Sequence, residues 1–258
     1  MPNVKELYDY LDEKIPRALS CEWDNDGLMV AVDAGKDVKK VLLALDATDA
    51  VARYAAENGF DAVVTHHPMI FSPLRSLTSL EPTAAKALFL ARNNIAVMSF
   101  HTRLDALEGG VNDTLAARLG VENTVPFGPA GEEIGRIGFL PAPVPFRALC
   151  GKVASALSSP CVQAIEAKEN VQKVALLGGG GKDFVESAIA AGADVLVTGE
   201  VTYNVMLGAK ASGIGLITAG HYHTERPVLA KLYALIKEKF SEIEVEEYPL
   251  DTEIFSVK

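Results

Sequence analysis

The sequence predicts an α/β protein made of two similar α/β domains related by an internal duplication, and three observations carry that expectation. Short apolar runs alternate with helical patterns along the 258-residue chain. One 30-residue segment matches another without a gap. An H-x-x-x-[D/E] signature follows a corresponding apolar run in each half.

The opening MPNVKELYDYLDEKIP is charged throughout. No later apolar run reaches the roughly 18 to 20 residues that cross a bilayer, so a cytoplasmic protein with no membrane association is expected. Strands are predicted at VLLAL (41–45), DAVVT (61–65), IAVMSF (95–100), VALL (174–177), DVLVT (194–198) and GLITA (215–219). Between the first two lies DAVARYAAENG (49–59), a crossover helix closed by Gly59 at its C-terminal cap.

Residues 38–67 run against 171–200 at a constant offset of 133, with Val38/Val171, Lys40/Lys173, Gly59/Gly192, Asp61/Asp194 and Thr65/Thr198 identical. Shared βαβ patterning could produce that match by itself. IAVMSFHTRLD (95–105) lies against GLITAGHYHTE (215–225) at an offset of 120, which places His101 on His221 and Asp105 on Glu225. The paired imidazole and carboxylate favour duplication. Residues 127–170 have no counterpart in the first half, so the domains are expected at 1–126 and 127–258. Within that stretch GPAGEE (128–133) and PAPVP (141–145) read as loops around a strand, GRIGFL (135–140), and FRALCGKVASALSS (146–159) as a helix. A last helix is expected in RPVLAKLYALIKEKF (226–240), with Thr224 as its N-cap.

A composition 49% hydrophobic and 22% charged is that of a folded globular protein. The net charge of −10, with no Lys/Arg run, argues against nucleic acid as a partner. It leaves a small anionic substrate open, because bound metal ions would invert the local potential. Cys21, Cys150 and Cys161 form no C-x-x-C pair and are expected in the core.

All five histidines fall in VVTHHP (63–68), SFHTRLD (99–105) and AGHYHTE (219–225), each after a predicted strand. Loops beyond the carboxyl ends of strands form the ligand crevice of α/β proteins, so the segments can converge. His66, His67, His101, Asp105, His221 and Glu225 offer four nitrogens and two carboxylates, more than one ion needs and suited to two divalent transition metals such as Zn, Mn, Fe, Co or Ni. Adjacent residues of a strand face opposite ways, so His66 and His67 reach one site only where the strand ends, at Pro68. His223 has no partner in the duplication and is left out of the ligand set.

Glu200 aligns with His67 and is a candidate to orient a ligand or handle a proton; a carboxylate favoured by a helix N-terminus is the plainer alternative. LGGGGKDF (177–184) fails the spacing of a nucleotide-triphosphate loop, leaving either a tight turn or a backbone anion site. In WDNDGL (23–28), Trp23 either closes over a substrate or packs the N-terminal helix.

Taken together, WDNDGL, LALDAT (43–48), VVTHHP, HTRLDALEGGVND (101–113), GGGG (178–181), VTGE (197–200) and GHYHTE (220–225) resemble the Nif-three-like dinuclear metal-centre proteins, the GTP cyclohydrolase 1 type 2 homologues. The resemblance covers essentially the whole chain. It implies two similar α/β domains with a dimetal site between them, assembly into a toroidal homohexamer, and His66, His67, Asp105, His221 and Glu225 as ligands, with His101 as a further ligand or close neighbour. The chemistry expected is a metal-dependent hydrolase acting on a small molecule such as a nucleotide, with Glu200 or His101 as proton carriers. The alternative is a metal carrier or adaptor without turnover.

Overall fold

The computed structural model describes residues 1–249, and the chain forms two compact units. One is Met1–Leu104 together with the described chain from Leu229 on; the other is Asp105–Val228. In chain order the first holds α1 (Val4–Lys14), β1 (Gly27–Val30), β2 (Lys40–Ala44), α2 (Asp49–Glu57), β3 (Ala62–Thr65), α3 (Pro82–Arg92) and β4 (Ala96–Ser99). Helix α4 (Thr102–Ala106) carries the chain onward. The second unit continues with α5 (Val111–Leu119), β5 (Glu122–Phe127), β6 (Gly135–Pro145), α6 (Phe146–Ala156), β7 (Gln163–Ile165), β8 (Asn170–Gly180), α7 (Val185–Ala190), β9 (Val195–Glu200), α8 (Tyr203–Ala211), β10 (Gly215–Thr218) and α9 (His221–Glu225). The chain then returns to the first unit through α10 (Leu229–Lys239) and β11 (Glu244–Glu247).

The division expected near residue 126 falls inside β5, which pairs with β6 in the second sheet. The last segment pairs with the first sheet, because β11 adds parallel to β2 and completes the order β1-β4-β3-β2-β11. No sequence period marks such a return. The second sheet has the order β5-β6-β8-β9-β10-β7.

Each sheet is built on three parallel strands buried on both faces, which is why they read as continuous apolar runs rather than alternating ones. In the second unit Val174, Leu176, Val195, Val197 and Ile217 pack with Leu149 and Val153 of α6. Ala175, Leu177, Leu196 and Leu216 face Ala188 and Ala209 on the other side. Leu42, Val63 and Val97 pack on Val51, Ala55 and Leu90 in the first unit.

The pairing registers bear on the duplication directly. Val41 pairs with Ala62 and Val174 with Val195, so the first two strands correspond at the offset of 133 read from the sequence. A shared polar device sits at the same places. Asp61 accepts from the amides of Lys39 and Lys40 and meets Lys36 at 2.9 Å; Asp194 accepts from Gln172 and Lys173 and meets Lys168 at 2.5 Å. The third strand departs from the sequence match. Ala96 pairs with Ala62 and Gly215 with Val195, an offset of 119 rather than 120. Helices α4 and α9 keep that offset, so His101 corresponds to Gly220 and His221 to Thr102. The two H-x-x-x-[D/E] signatures are therefore one residue out of step with the fold around them.

Three smaller expectations are corrected. PAPVP (141–145) is no loop, since β6 runs through it with an irregularity between Phe139 and Val144 that accommodates the prolines. Thr224 is not an N-cap: α9 begins at His221 after Gly220, and the Thr224 hydroxyl is turned back on the His221 carbonyl. Of the cysteines only Cys21 is buried; Cys150 is half-buried and Cys161 exposed.

For Asp61 and Asp194 burial works to raise the pKa, but the hydrogen bonds from the lysine and the two amides outweigh it and hold each carboxyl below its ordinary value. A carboxylate with a depressed folded pKa contributes stability above its unfolded value of about 4, and that contribution is lost as pH falls through the folded value. Urea unfolding of the wild type and of Asp194→Asn between pH 7 and 2.5 should show a shallower acid loss in the variant. Equal slopes would mean that the device contributes nothing.

Candidate metal centre

In the first unit the donors sit where parallel strands end. β3 stops at Thr65, whose hydroxyl donates to the His67 carbonyl at 2.8 Å while the His67 amide bonds to Leu45 O at 2.9 Å. The two adjacent histidines then take opposite neighbours. His66, fully buried, directs Nδ1 to Phe100 O at 2.9 Å beyond β4; His67 directs Nδ1 to Asp46 Oδ1 at 2.8 Å beyond β2. Their rings nevertheless lie 4.9 Å apart, with His101 at 5.3 and 5.7 Å from them. One ligating atom from each of the three lies within 4.8 Å of the others.

A carbonyl or carboxylate oxygen accepts, so Nδ1 carries the proton in these rings and the Nε2 lone pair is left to ligate. His101 follows the same pattern, with Nδ1 on Asp24 Oδ1 at 2.9 Å. Asp24 also accepts from the Thr102 amide at 3.0 Å and hydroxyl at 2.6 Å. Burial acts to raise its pKa, but the bonds from His101 and Thr102 prevail and lower it to about 2.

Asp26 anchors the same turn. It accepts from the His101 amide at 3.0 Å and from Arg103 Nε at 2.8 Å. Arg103 is fully buried, bonded through Nη1 to Asp12 at 2.6 Å and Ile15 O at 2.9 Å, and its guanidinium lies 4.6 Å from the centre of the Phe100 ring. Burial would lower its pKa, yet Asp12 and Asp26 together raise it.

The second unit holds Asp105, His221 and Glu225. Asp105 and Glu225 are both buried and have carboxylate oxygens within 4.8 Å of each other. His221 Nε2 lies 3.1 Å from Glu225 Oε2, and its Nδ1 lies 3.2 Å from Glu200 Oε1. Glu200 thus stands to His221 as Asp46 does to His67. Among the described residues His223 belongs to no group of converging donors; its ring is edge-on to Tyr222 at 5.6 Å.

The sequence's Gly-rich stretch is the irregular end of β8 rather than a turn, and it makes room for this donor pair. At Gly179, with φ of +68°, a Cβ would stand 2.2 Å from Glu225 Oε1 and 3.0 Å from His221 Nε2. Three of the four glycine amides are taken, which weighs against an anion site there: Gly178 N donates to Asn112, Gly179 N to Thr224 and Gly181 N to Glu200 O. The sequence pointed to all six candidate donors that the structure gathers into converging groups, and to Glu200 beside His221. It did not point to the residues that aim the first unit's rings, Asp24, Asp26, Asp46 and Arg103. The available signal was position, since Asp46 directly follows the apolar run of β2 and two aspartates flank Asn25.

Imidazoles with Nδ1 against an acceptor, converging with one another and with buried carboxylates, could hold a metal ion. Fold and donors define a two-unit α/β protein with groups at its strand ends that could hold a metal. The model of the family Duf34/NIF3 (NGG1p interacting factor 3) matches residues 2–253, and the chain belongs to that family. It is 32% identical over 241 residues to a GTP cyclohydrolase 1 type 2 homolog of Clostridium perfringens, covering 92% of each chain. It is 33% identical over 226 residues to a protein NIF3 homolog of Schizosaccharomyces pombe, covering 82% of this chain and 80% of the other. The crystal structure of reduced HcgD from Methanocaldococcus jannaschii superimposes with a TM-score of 0.85 at 28% identity, over 96% of this chain and 98% of that one.

Asp46→Ala removes the acceptor that sets the His67 tautomer while leaving every candidate donor nitrogen in place, and its half-exposed position spares the core. Competition against a chelating dye should show metal affinity weakened roughly 10- to 100-fold. Unchanged affinity would remove His67 from the ligand set.

Proposed function

We propose that the chain is a dinuclear metal-dependent hydrolase acting on a nucleotide or a related small molecule, and that it works as a cytoplasmic homohexamer. The observation that carries the metal reading is the common orientation of His66, His67, His101 and His221, all with Nδ1 against an acceptor. Metal-ligating imidazoles characteristically donate their other ring N–H in this way, and here the ligating atoms also converge within 4.8 Å in groups of three. The substrate class is suggested by relatives named GTP cyclohydrolase 1 type 2 homolog. The location accords with the described residues, in which no helix is long and apolar enough to cross a membrane.

In this reading the histidines and the carboxylates of Asp105 and Glu225 serve one pair of divalent ions, drawn from Zn, Mn, Fe, Co or Ni. When bound, such a pair supplies Lewis acidity and a water acidified toward a pKa of about 7. The chain's own part is to offset charge and move protons. Asp105 and Glu225 bring the negative charge that neutral imidazole lacks. Glu200, two-thirds exposed and bonded to His221, is placed to exchange a proton with solvent, and His101 with Asp24 behind it is the second candidate.

The test is reconstitution with Mn, Zn, Fe or Co, elemental analysis, and an assay of GTP ring opening and phosphoester cleavage. About two ions per chain and turnover are expected, with Asp105→Ala and Glu225→Ala each losing an ion and nearly all activity. His223→Ala should retain both. At most one ion per chain sinks the dinuclear reading, and two tightly held ions without turnover on any substrate would make the protein a metal carrier.

A further inference from the structure

Three aromatic rings of the first unit stand at nearly equal distances from one another. Trp23 and Phe71 are 6.1 Å apart between ring centroids, and each lies edge-on to His101, at 6.2 and 6.3 Å. His101 is mostly covered, but Trp23 and Phe71 are each 51% exposed. Leaving two large aromatic faces in water forgoes the stabilisation that their burial would give.

The pair is held in place rather than loosely displayed. The turn bearing Trp23 is bound on both sides of the ring, by Cys21 N to Thr102 Oγ1 at 3.0 Å and by Asp24 to His101 and Thr102. Asn25 Nδ2 reaches across to Ile70 O at 2.5 Å and ties that turn to the loop carrying Phe71. Phe71 also lines an adjoining groove of about 450 Å³ that contains Arg75, Ser72, Ser76 and Thr83. The one carboxylate there, Glu81, is engaged in capping α3 through the amides of Thr83 and Ala84.

We infer that Trp23 and Phe71 form a stacking platform beside His101 for a planar nitrogen-heteroaromatic ring, with Arg75 in the adjoining groove receiving the anionic tail of the same molecule. This rests on the reading of a nucleotide-class substrate and assigns its recognition to specific residues. Aromatic faces bind any flat π-system, so the platform selects for a ring. A guanidinium in a hydroxyl-lined groove selects for phosphate oxygens. Ring and tail are thereby read by different residues.

Trp23 is the single tryptophan of the chain, so its fluorescence reports this place alone. Metal-stripped and Mn-loaded wild type would be titrated with GTP, guanosine, ribose 5-phosphate and tripolyphosphate, correcting for absorption with a free tryptophan analogue. Saturable quenching by GTP and guanosine, with none from the two ringless probes, is expected in both metal states. Phe71→Leu should weaken GTP about tenfold or more and Phe71→Tyr should restore it, since only the second keeps a π-face. Arg75→Ala should weaken GTP and leave guanosine unchanged. Quenching that ringless probes reproduce, or a Phe71→Leu variant with wild-type affinity, overturns the platform. So does Trp23 emission already shifted to the blue and indifferent to every probe, which would place the pair in a contact between subunits. Because binding is read without turnover and without metal, these outcomes are separate from the failure of the hydrolase reading, which would appear as quenching with no metal uptake or no chemistry.

Discussion

Arg103 lies fully buried between Asp26 and Asp12, at 2.8 and 2.6 Å, and much of the first unit's site hangs on that ion network. Asp26 uses the same oxygen to hold the His101 amide, and Asp24, two residues earlier, holds the His101 ring. Taking these charges out of water costs several kcal/mol per ion, and only the close mutual pairing offsets it. The arrangement therefore tolerates no half measure. The network ties α1, the loop 20–26 and the turn after β4 to one another through a single guanidinium.

From that constraint follows the common chemistry of the histidines. A strand end leaves side chains without a neighbouring ladder, and each imidazole here finds a substitute partner at or near a neighbouring strand's end or in the loop before β1: Phe100 O, Asp46, Glu200 or Asp24. The partner sets the tautomer, and the tautomer decides which nitrogen can ligate. The glycines of the second unit serve the same end by absence, since a side chain at Gly179 would occupy the place of the Glu225 carboxylate.

The repeat slips out of register at the segments that carry the candidate donors. Strand registers and the Asp61/Asp194 device repeat at 133 residues, whereas the third strand and the helix after it repeat at 119. His221 therefore occupies the first helical position, where Thr102 stands in the other unit, and Gly220 with φ of +88° turns the chain into it. Packing preserves the strands of a repeat because both faces are buried. Ligands after the strand are free of that demand, so each unit presents its imidazole from a different position.

The α/β class, six of the seven parallel strands and the six candidate donors were legible from the sequence, because apolar runs, glycine caps and histidines after strands are local signals with local physical causes. The return of β11 to the first sheet, the one-residue shift of the second signature and the continuation of β6 through Pro141 and Pro143 were not, because pairing partners are chosen by the whole sheet and leave no periodic trace. The same holds for Asp24, Asp26, Asp46 and Arg103. In the sequence Asp24 and Asp26 look like any surface aspartate, and only the fold withdraws them from water. Asp46 stays half-exposed, yet it too meets its imidazole, within 3 Å, only because the fold brings the two strand ends together.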